Sequence, residues 1–343
     1  MRKLKYKEAI AEALVQAMKT DDSIFIMGEG ADDPTGIFGT TLPAAKKFPE
    51  RVMDMPLSEA LITGAGTGAA MAGMRPVMVH ARNDFLYLAM DQIANHAAIW
   101  SEMHGGDVKI PWVIRAIVGR GWGNAAQHSQ SLQAIFAHIP GLKVVMPATP
   151  YRAKGLLMSA IKDDSPVMFI EHRSLFDLEG FVPQEPYSLP LGRGNIFRRG
   201  KDLTFVAFSF MVAEAGKAAV VLCEEGIEAE IVDVSSVKPL DKELISESVK
   251  KTGRAVVLDT GWKSFGVSAE ISAMINEELF HVLKAPIRRI ALPDSPTPCS
   301  PILEKAYYPS AADIVNASLD LLGRARLPEE KIGEEETKFS GPF

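Results

Sequence analysis

The stretch LKVVMPATPYRAKGLLMSAIKDDSPVMFIEH (142–172) decides the fold reading: an apolar run, a helical span and a second apolar run. Its two ends, LKVVMP (142–147) and PVMFIEH (166–172), are almost continuously apolar, and residues 150–162 between them read as a helix. Strands of this kind belong to parallel sheets whose two faces are both covered by helices. Upstream the same rhythm recurs, with SIFIM (23–27), RPVMVH (75–80) and PWVIRAIV (111–118) as strands and helical segments at about 5–20, 58–73, 86–104 and 129–138. Downstream, FVPQEPYSLPLGRG (181–194) interrupts it with three prolines and two glycines, the composition of a surface linker.

A second alternation follows. TFVAFSF (204–210), EAEIVDV (228–234), AVVLDT (255–260) and IRRIAL (287–292) read as strands, separated by helices near 212–225, 241–251, 266–279 and 310–322. The expected fold class is α/β, with two three-layer α/β/α domains built on mainly parallel sheets. The expected boundaries are a first domain over 1–182, a linker over 183–200, a second domain over 201–325 and a mobile charged tail over 326–343.

Composition agrees with two ordinary globular domains. The chain has 343 residues, 47% hydrophobic and 23% charged. Its 37 Lys and Arg against 43 Asp and Glu leave a net charge of −6, which provides no general attraction for nucleic acid or an anionic membrane. The two cysteines, Cys223 and Cys299, lack metal-ligand spacing and suit a reducing compartment, so a cytoplasmic location is expected. The start, MRKLKYKEAIAEALVQAM, reads as an amphipathic helix rather than a signal peptide, and no apolar run has the roughly 18 residues needed to span a bilayer.

Among residues that could carry chemistry, TGAGTGAAMAG (63–73) has a glycine spacing reminiscent of a dinucleotide fingerprint. The fingerprint requires a strand directly before the glycines, whereas PLSEALI already reads as helix, so close helix packing or a subunit interface is favoured. Glu59, in DMPLSEAL (54–61), lies in a first helical turn; by local pattern alone it is an acid complementing the helix dipole, with Ser58 or Asp54 as cap. His128 follows the glycine-rich GRGWGNAAQHSQ (119–130) at the carboxyl end of a strand, where open α/β sheets build their sites. An imidazole capping the next helix is an equal reading for it. His96 and His138 fall on helical segments, and neither HExxH nor CxxC occurs, which gives no support to a zinc site or metalloprotease.

Taken together, DMPLSEALITGAGTGAAMAGMRPV (54–77), FLYLAMDQIANHAA (85–98), AAQHSQS (125–131), HIPGLKVVMP (138–147), VKPLD (237–241), GWKSFGVSAEI (261–271) and PDSPTPCSPILEKAYYP (293–309) resemble one family in order and spacing. The chain is similar, from about residue 5 to residue 322, to the β subunit of the thiamine diphosphate-dependent pyruvate, branched-chain and acetoin dehydrogenases. The resemblance implies an aminopyrimidine-binding domain followed by a transketolase C-terminal-like domain. It implies that Glu59 hydrogen-bonds N1′ of the cofactor's pyrimidine ring and favours the tautomer that takes the proton from the thiazolium C2. It further implies that Phe85 packs on the aminopyrimidine, that Leu57 and Glu29, in IMGEGADD (26–33), line the cofactor region, and that His128 serves the arriving lipoyl group. A structural alkali cation, potassium, is implied near Ala160, Asp163 and Ser165 through backbone carbonyls.

Thiamine diphosphate enzymes hold the diphosphate through magnesium bound by a GDG segment and a later Asn, and GDG is missing from this sequence. The resemblance places that site on a separate α subunit. It implies an α2β2 assembly with a second β subunit, docked on a lipoyl acyltransferase core and acting on a small 2-oxo acid. Ser235 and Ser236 stand where the family carries an arginine-containing stretch, and the GRGWGN loop differs, which opens the identity of the 2-oxo acid. Two other readings stay open at this point: half of a split transketolase or carboligase using the same residues, and a non-catalytic assembly subunit.

Overall fold

The computed structural model describes residues 2–32, 36–120 and 123–332. The described residues form two compact units, one containing those up to 120 and 135–191 and the other 123–134 and 192–332. In chain order the first holds β1 (Arg2–Lys5), α1 (Tyr6–Met18), β2 (Ile24–Gly28), α2 (Leu42–Lys47), β3 (Val52–Asp54), α3 (Glu59–Met71), β4 (Arg75–His80), α4 (Trp100–Met103) and β5 (Val113–Val118). After the loop that belongs to the second unit come α5 (Gln133–His138), β6 (Lys143–Val145), α6 (Pro150–Lys162), β7 (Val167–His172) and β8 (Glu179–Val182).

The strands of this unit run in the order β6-β7-β5-β4-β2-β3, and each of these pairs is parallel. Every residue of β5 and β7 is buried, as it must be in a sheet covered on both faces. Parallel neighbours need crossovers, and α6 supplies one between β6 and β7. Thr149 caps it through a bond from the Arg152 amide, Pro150 opens its first turn, and ten of its residues are buried. A separate antiparallel ribbon joins β1 to β8, tying the start of the chain to the end of the unit.

Within this apolar sheet lies one ion pair closed off from solvent. Arg115 Nε donates to Glu171 Oε1 (2.5 Å) and Nη2 to Oε2 (2.9 Å), both side chains being fully buried, and Nη2 also reaches Thr40 Oγ1 at 2.9 Å. The bidentate geometry offsets the desolvation of both charges.

The second unit holds β9 (Asn195–Arg198), β10 (Leu203–Ala207), α7 (Phe210–Glu224), β11 (Ala229–Asp233), β12 (Ser236–Lys238), α8 (Lys242–Thr252), β13 (Ala255–Trp262), α9 (Val267–Leu279), β14 (Arg288–Leu292), α10 (Pro301–Tyr307), α11 (Ala311–Leu321) and α12 (Glu329–Ile332). Its sheet has the order β14-β13-β10-β11-β9, parallel except for the antiparallel edge strand β9, which falls inside the span expected as linker. Of the expected tail, α12 is helical with Ile332 buried, and residues 333–343 lie outside the described residues.

One expectation changes in detail, and a second, close packing at the glycines of α3, is met. The span read as one helix over 86–104 is a 3-10 segment at Asn83–Ala89, a π segment at Gln92–Ala97 and the short α4. Leu86, Ala89, Ile93 and Ala97 are all buried, so a helical period of burial persists while the hydrogen-bond register beneath it changes. The glycines of α3 lie inside the helix rather than at its start. A Cβ on Gly66 would stand 2.6 Å from Met78 Cε and 3.1 Å from Trp112 Nε1, so this glycine lets the helix lie close against β4.

Replacing Glu171 by Ala leaves Arg115 buried without its carboxylate and is expected to cost about 3–5 kcal/mol. Removing Asp177 from its exposed pairs with Lys5 and Lys7 is expected to leave stability almost unchanged. Urea denaturation of the two variants checks the contrast.

Candidate functional site

The candidate groups of the first unit are set by strand ends. Parallel pairing of β2 with β3 places Gly28 opposite Asp54, and the Gly30 amide donates to Asp54 Oδ1 at 2.5 Å. Gly28 is required here by close approach: a Cβ would lie 2.2 Å from the Val79 carbonyl oxygen. Glu29 follows directly. It is half-buried, and its Oε1 is enclosed with no hydrogen-bond partner. Burial, then the nearby charges of Glu59 and Asp54, push its carboxyl up to about 7.

Glu59 is the first residue of α3 and is half-buried. The expectation of a capped helix start is not met by Ser58, whose side chain makes no cap bond. Asp54 instead serves the Gly30 amide. Leu57, in the turn before the helix, is 83% exposed. Phe85 sits half-buried in the Asn83–Ala89 segment, which packs against α3, with Tyr87 and Leu88 exposed beside it. The structure thus brings Glu29, Asp54 and Glu59 into electrostatic reach of one another and places the Phe85 segment on the Glu59 helix.

His128 belongs to the second unit, half-buried at the end of a 3-10 turn, Ala126–His128. Its loop is bonded to that unit at both ends, through Gly123 to Glu304 and through Ser131 and Gln133 to Thr260 and Asp259. Asp259 is fully buried; burial raises its pKa against the opposing donors Gly261, Ser268 and Gln133.

Ala160, Asp163 and Ser165 lie at the end of α6. The Asp163 amide donates to Ala160 O, the Asp163 carboxylate accepts from Ser165 N and Lys143 Nζ, and Arg75 Nη1 donates to the carbonyls of both Ile161 and Asp163 at 3.1 Å. Arg75 thus reaches one of the three backbone carbonyls in question, that of Asp163. Among the described residues no cluster of three or more His, Cys, Asp or Glu could hold a metal ion, and no helix is long and apolar enough to cross a membrane.

The model of the transketolase pyrimidine-binding domain matches residues 2–177, and that of the transketolase C-terminal domain matches residues 192–314. The β subunit of an acetoin:2,6-dichlorophenolindophenol oxidoreductase from Cupriavidus necator is 46% identical over 327 residues, covering 92% of this chain and 97% of that one. The β subunit of 2-oxoisovalerate dehydrogenase from Bacillus subtilis is 41% identical over 322 residues, covering 93% and 98%. This chain belongs to the β-subunit family of the 2-oxo acid dehydrogenase decarboxylating components. A solved split-gene transketolase, in an inactive β4 tetramer, has the same fold at a TM-score of 0.77 and 26% identity, covering 93% of this chain and 98% of its own.

Two roles in this β-subunit architecture escaped the sequence reading. Asp54 acts on Glu29 only through the register of β3, a three-residue strand too short to leave a pattern. Asp259 closes an apolar strand and gives no local sign that it is bonded to Gln133, 126 positions away.

Glu29 gives a pH prediction with a definite sign. Its folded pKa lies above the ordinary value of 4.5, so its contribution to stability is complete below that pH and is lost as pH rises through about 7. Buried His80, pushed down to about 4 by desolvation, acts in the opposite direction, losing its contribution as pH falls. Glu29→Gln isolates the first effect: relative to wild type, the variant is expected to gain thermal stability between pH 5 and pH 8, read as the difference between two Tm–pH curves.

Proposed function

We propose that this chain is the catalytic β subunit of a heteromeric, thiamine diphosphate-dependent 2-oxo acid dehydrogenase. The enzyme decarboxylates a small 2-oxo acid and passes the acyl group to lipoamide. The observation that carries the reading is the pairing of Glu59, at the start of α3, with Glu29, whose enclosed Oε1 lacks a partner and whose pKa is pushed up to about 7. A weakly basic heterocycle between polar donors and an aromatic face is the kind of group such a set would hold.

Thiamine diphosphate, when bound, supplies the electron sink for loss of carbon dioxide. Glu59 would hold a proton at pyrimidine N1′, and the Phe85 ring would pack on the flat face of the aminopyrimidine without competing for its polar atoms. Leu57 would cover the ring's edge and give up its exposed position. Glu29, ionising near neutral pH, would take up or release a proton beside Glu59 without needing a strong acid or base. His128 would move a proton during transfer to the dithiolane sulfur.

Magnesium and the diphosphate would be held by an α subunit, since the GDG segment is missing from this sequence. The proposed working form is α2β2, with the second unit contacting the other β subunit and the acyltransferase core. A cytoplasmic location is retained as part of the proposal, on the cysteine content. The split transketolase neighbour keeps a carboligase as the second reading, in which an aldehyde replaces lipoamide as acceptor.

Three outcomes are expected. Glu59→Gln in the assembled complex should lower turnover by about 10²- to 10⁴-fold, and near-normal turnover would reject its role. Calorimetry on each chain alone and on the co-expressed pair should find magnesium-dependent cofactor binding by the pair only. Product formation from pyruvate should require a lipoyl acceptor or an oxidising dye; efficient carboligation without either would favour the second reading.

A further inference from the structure

We propose that Asp259 is a positioning residue for the acyl-transfer step, acting through Gln133 on the loop that carries His128. The inference rests on the reading of His128 given above and adds to it a specific mechanical support.

Residues 123–131 leave the end of β5 but are secured to the second unit. At the far end, Gln133 Nε2 donates to Asp259 Oδ1 at 2.8 Å and approaches Thr260 Oγ1 at 3.3 Å. Ser131 Oγ donates to Gln133 Oε1 at 2.6 Å and lies 3.1 Å from Thr260 Oγ1. Ser131, Gln133 and Thr260 form a closed, buried ring to which Asp259 is attached through Gln133, with Gln133 and Asp259 at zero exposure. Asp259 also accepts from the amides of Gly261 at Oδ1 (2.9 Å) and Ser268 at Oδ2 (2.8 Å), so the carboxyl group is oriented independently of Gln133. A buried carboxylate costs several kcal/mol unless it is fully hydrogen-bonded, and here one of its bonds goes to the loop. Gly261 is part of the seat: a Cβ there would lie 2.7 Å from Gln133 Nε2 and 3.3 Å from Ser131 O.

At the near end the Gly123 amide donates to Glu304 Oε1 at 2.9 Å, and Glu304 is itself buried. Between the anchors, Ala125 takes a left-handed φ of 56° and the chain turns once through Ala126–His128. A short loop clamped at both ends, with a strained residue between, presents its imidazole in one place. Misplacing a reacting group by about 1 Å can cost about 10² in rate.

The test uses the complex assembled with its α subunit and two assays with pyruvate and 2-oxoisovalerate as probes. One measures reduction of 2,6-dichlorophenolindophenol, which needs no lipoyl group; the other measures acylation of free lipoamide. Gln133→Ala is expected to lower kcat for lipoamide about 10- to 100-fold, with dye reduction and the KM for the 2-oxo acid unchanged. Ser131→Ala, which removes one link of the ring, should give a smaller loss of the same kind. Loss in both assays together, or in neither, would overturn the inference. His128→Ala is the control. If it abolishes lipoamide acylation while Gln133→Ala does not, the positioning role alone fails; if it leaves acylation intact, the reading of His128 and the inference fall together.

Discussion

Parallel pairing of β2 with β3 on one side and β4 on the other is the constraint from which the first unit's chemistry follows. Strands that run the same way release their chains at the same edge, so the segments after them are neighbours whatever their separation in sequence. Glu29 follows β2, the turn to Glu59 follows β3, and the segment carrying Phe85 follows β4. A sheet of antiparallel hairpins would have scattered these groups over two edges.

The strands themselves are held by burial on both faces, and the Arg115–Glu171 pair shows the cost of that arrangement. Two charges inside an apolar sheet are tolerable here because Glu171 receives two guanidinium bonds, although Arg115 Nη1 stays buried without a partner. Lys154 shows a softer version of the same solution. Its ammonium, taken from solvent by α6, is satisfied by Glu12 and by the carbonyls of Pro183, Gln184 and Glu185, which draws the chain leaving β8 back over the helix.

Much of this was legible in the sequence. Long apolar strands such as Val113–Val118 and Val167–His172 announce themselves because both faces are buried, and amphipathic helices such as Lys242–Thr252 keep their period. Glu59, Phe85 and His128 could be named only through resemblance, since their local patterns also fit a helix-dipole acid, a core aromatic and a capping imidazole. What stayed hidden depends on distant pairing. Val52–Asp54 becomes a strand because Ile26–Gly28 lies beside it, and Asn195–Arg198 because Ala229–Asp233 does. The broken helix over 83–103 hid for another reason: its apolar spacing satisfies burial equally well with three hydrogen-bond registers.

The membership of Gly121–Ala134 in the second unit bears on how such chains can be recombined. The obvious seam between the halves lies near residue 191, and a chimera joined there would inherit its first half from one parent and its second from another. The loop with His128 would then come from one parent while Thr260, Asp259 and Glu304, to which it is bonded, came from the other. A transferable second module must therefore carry the loop together with the strand and helix that receive it.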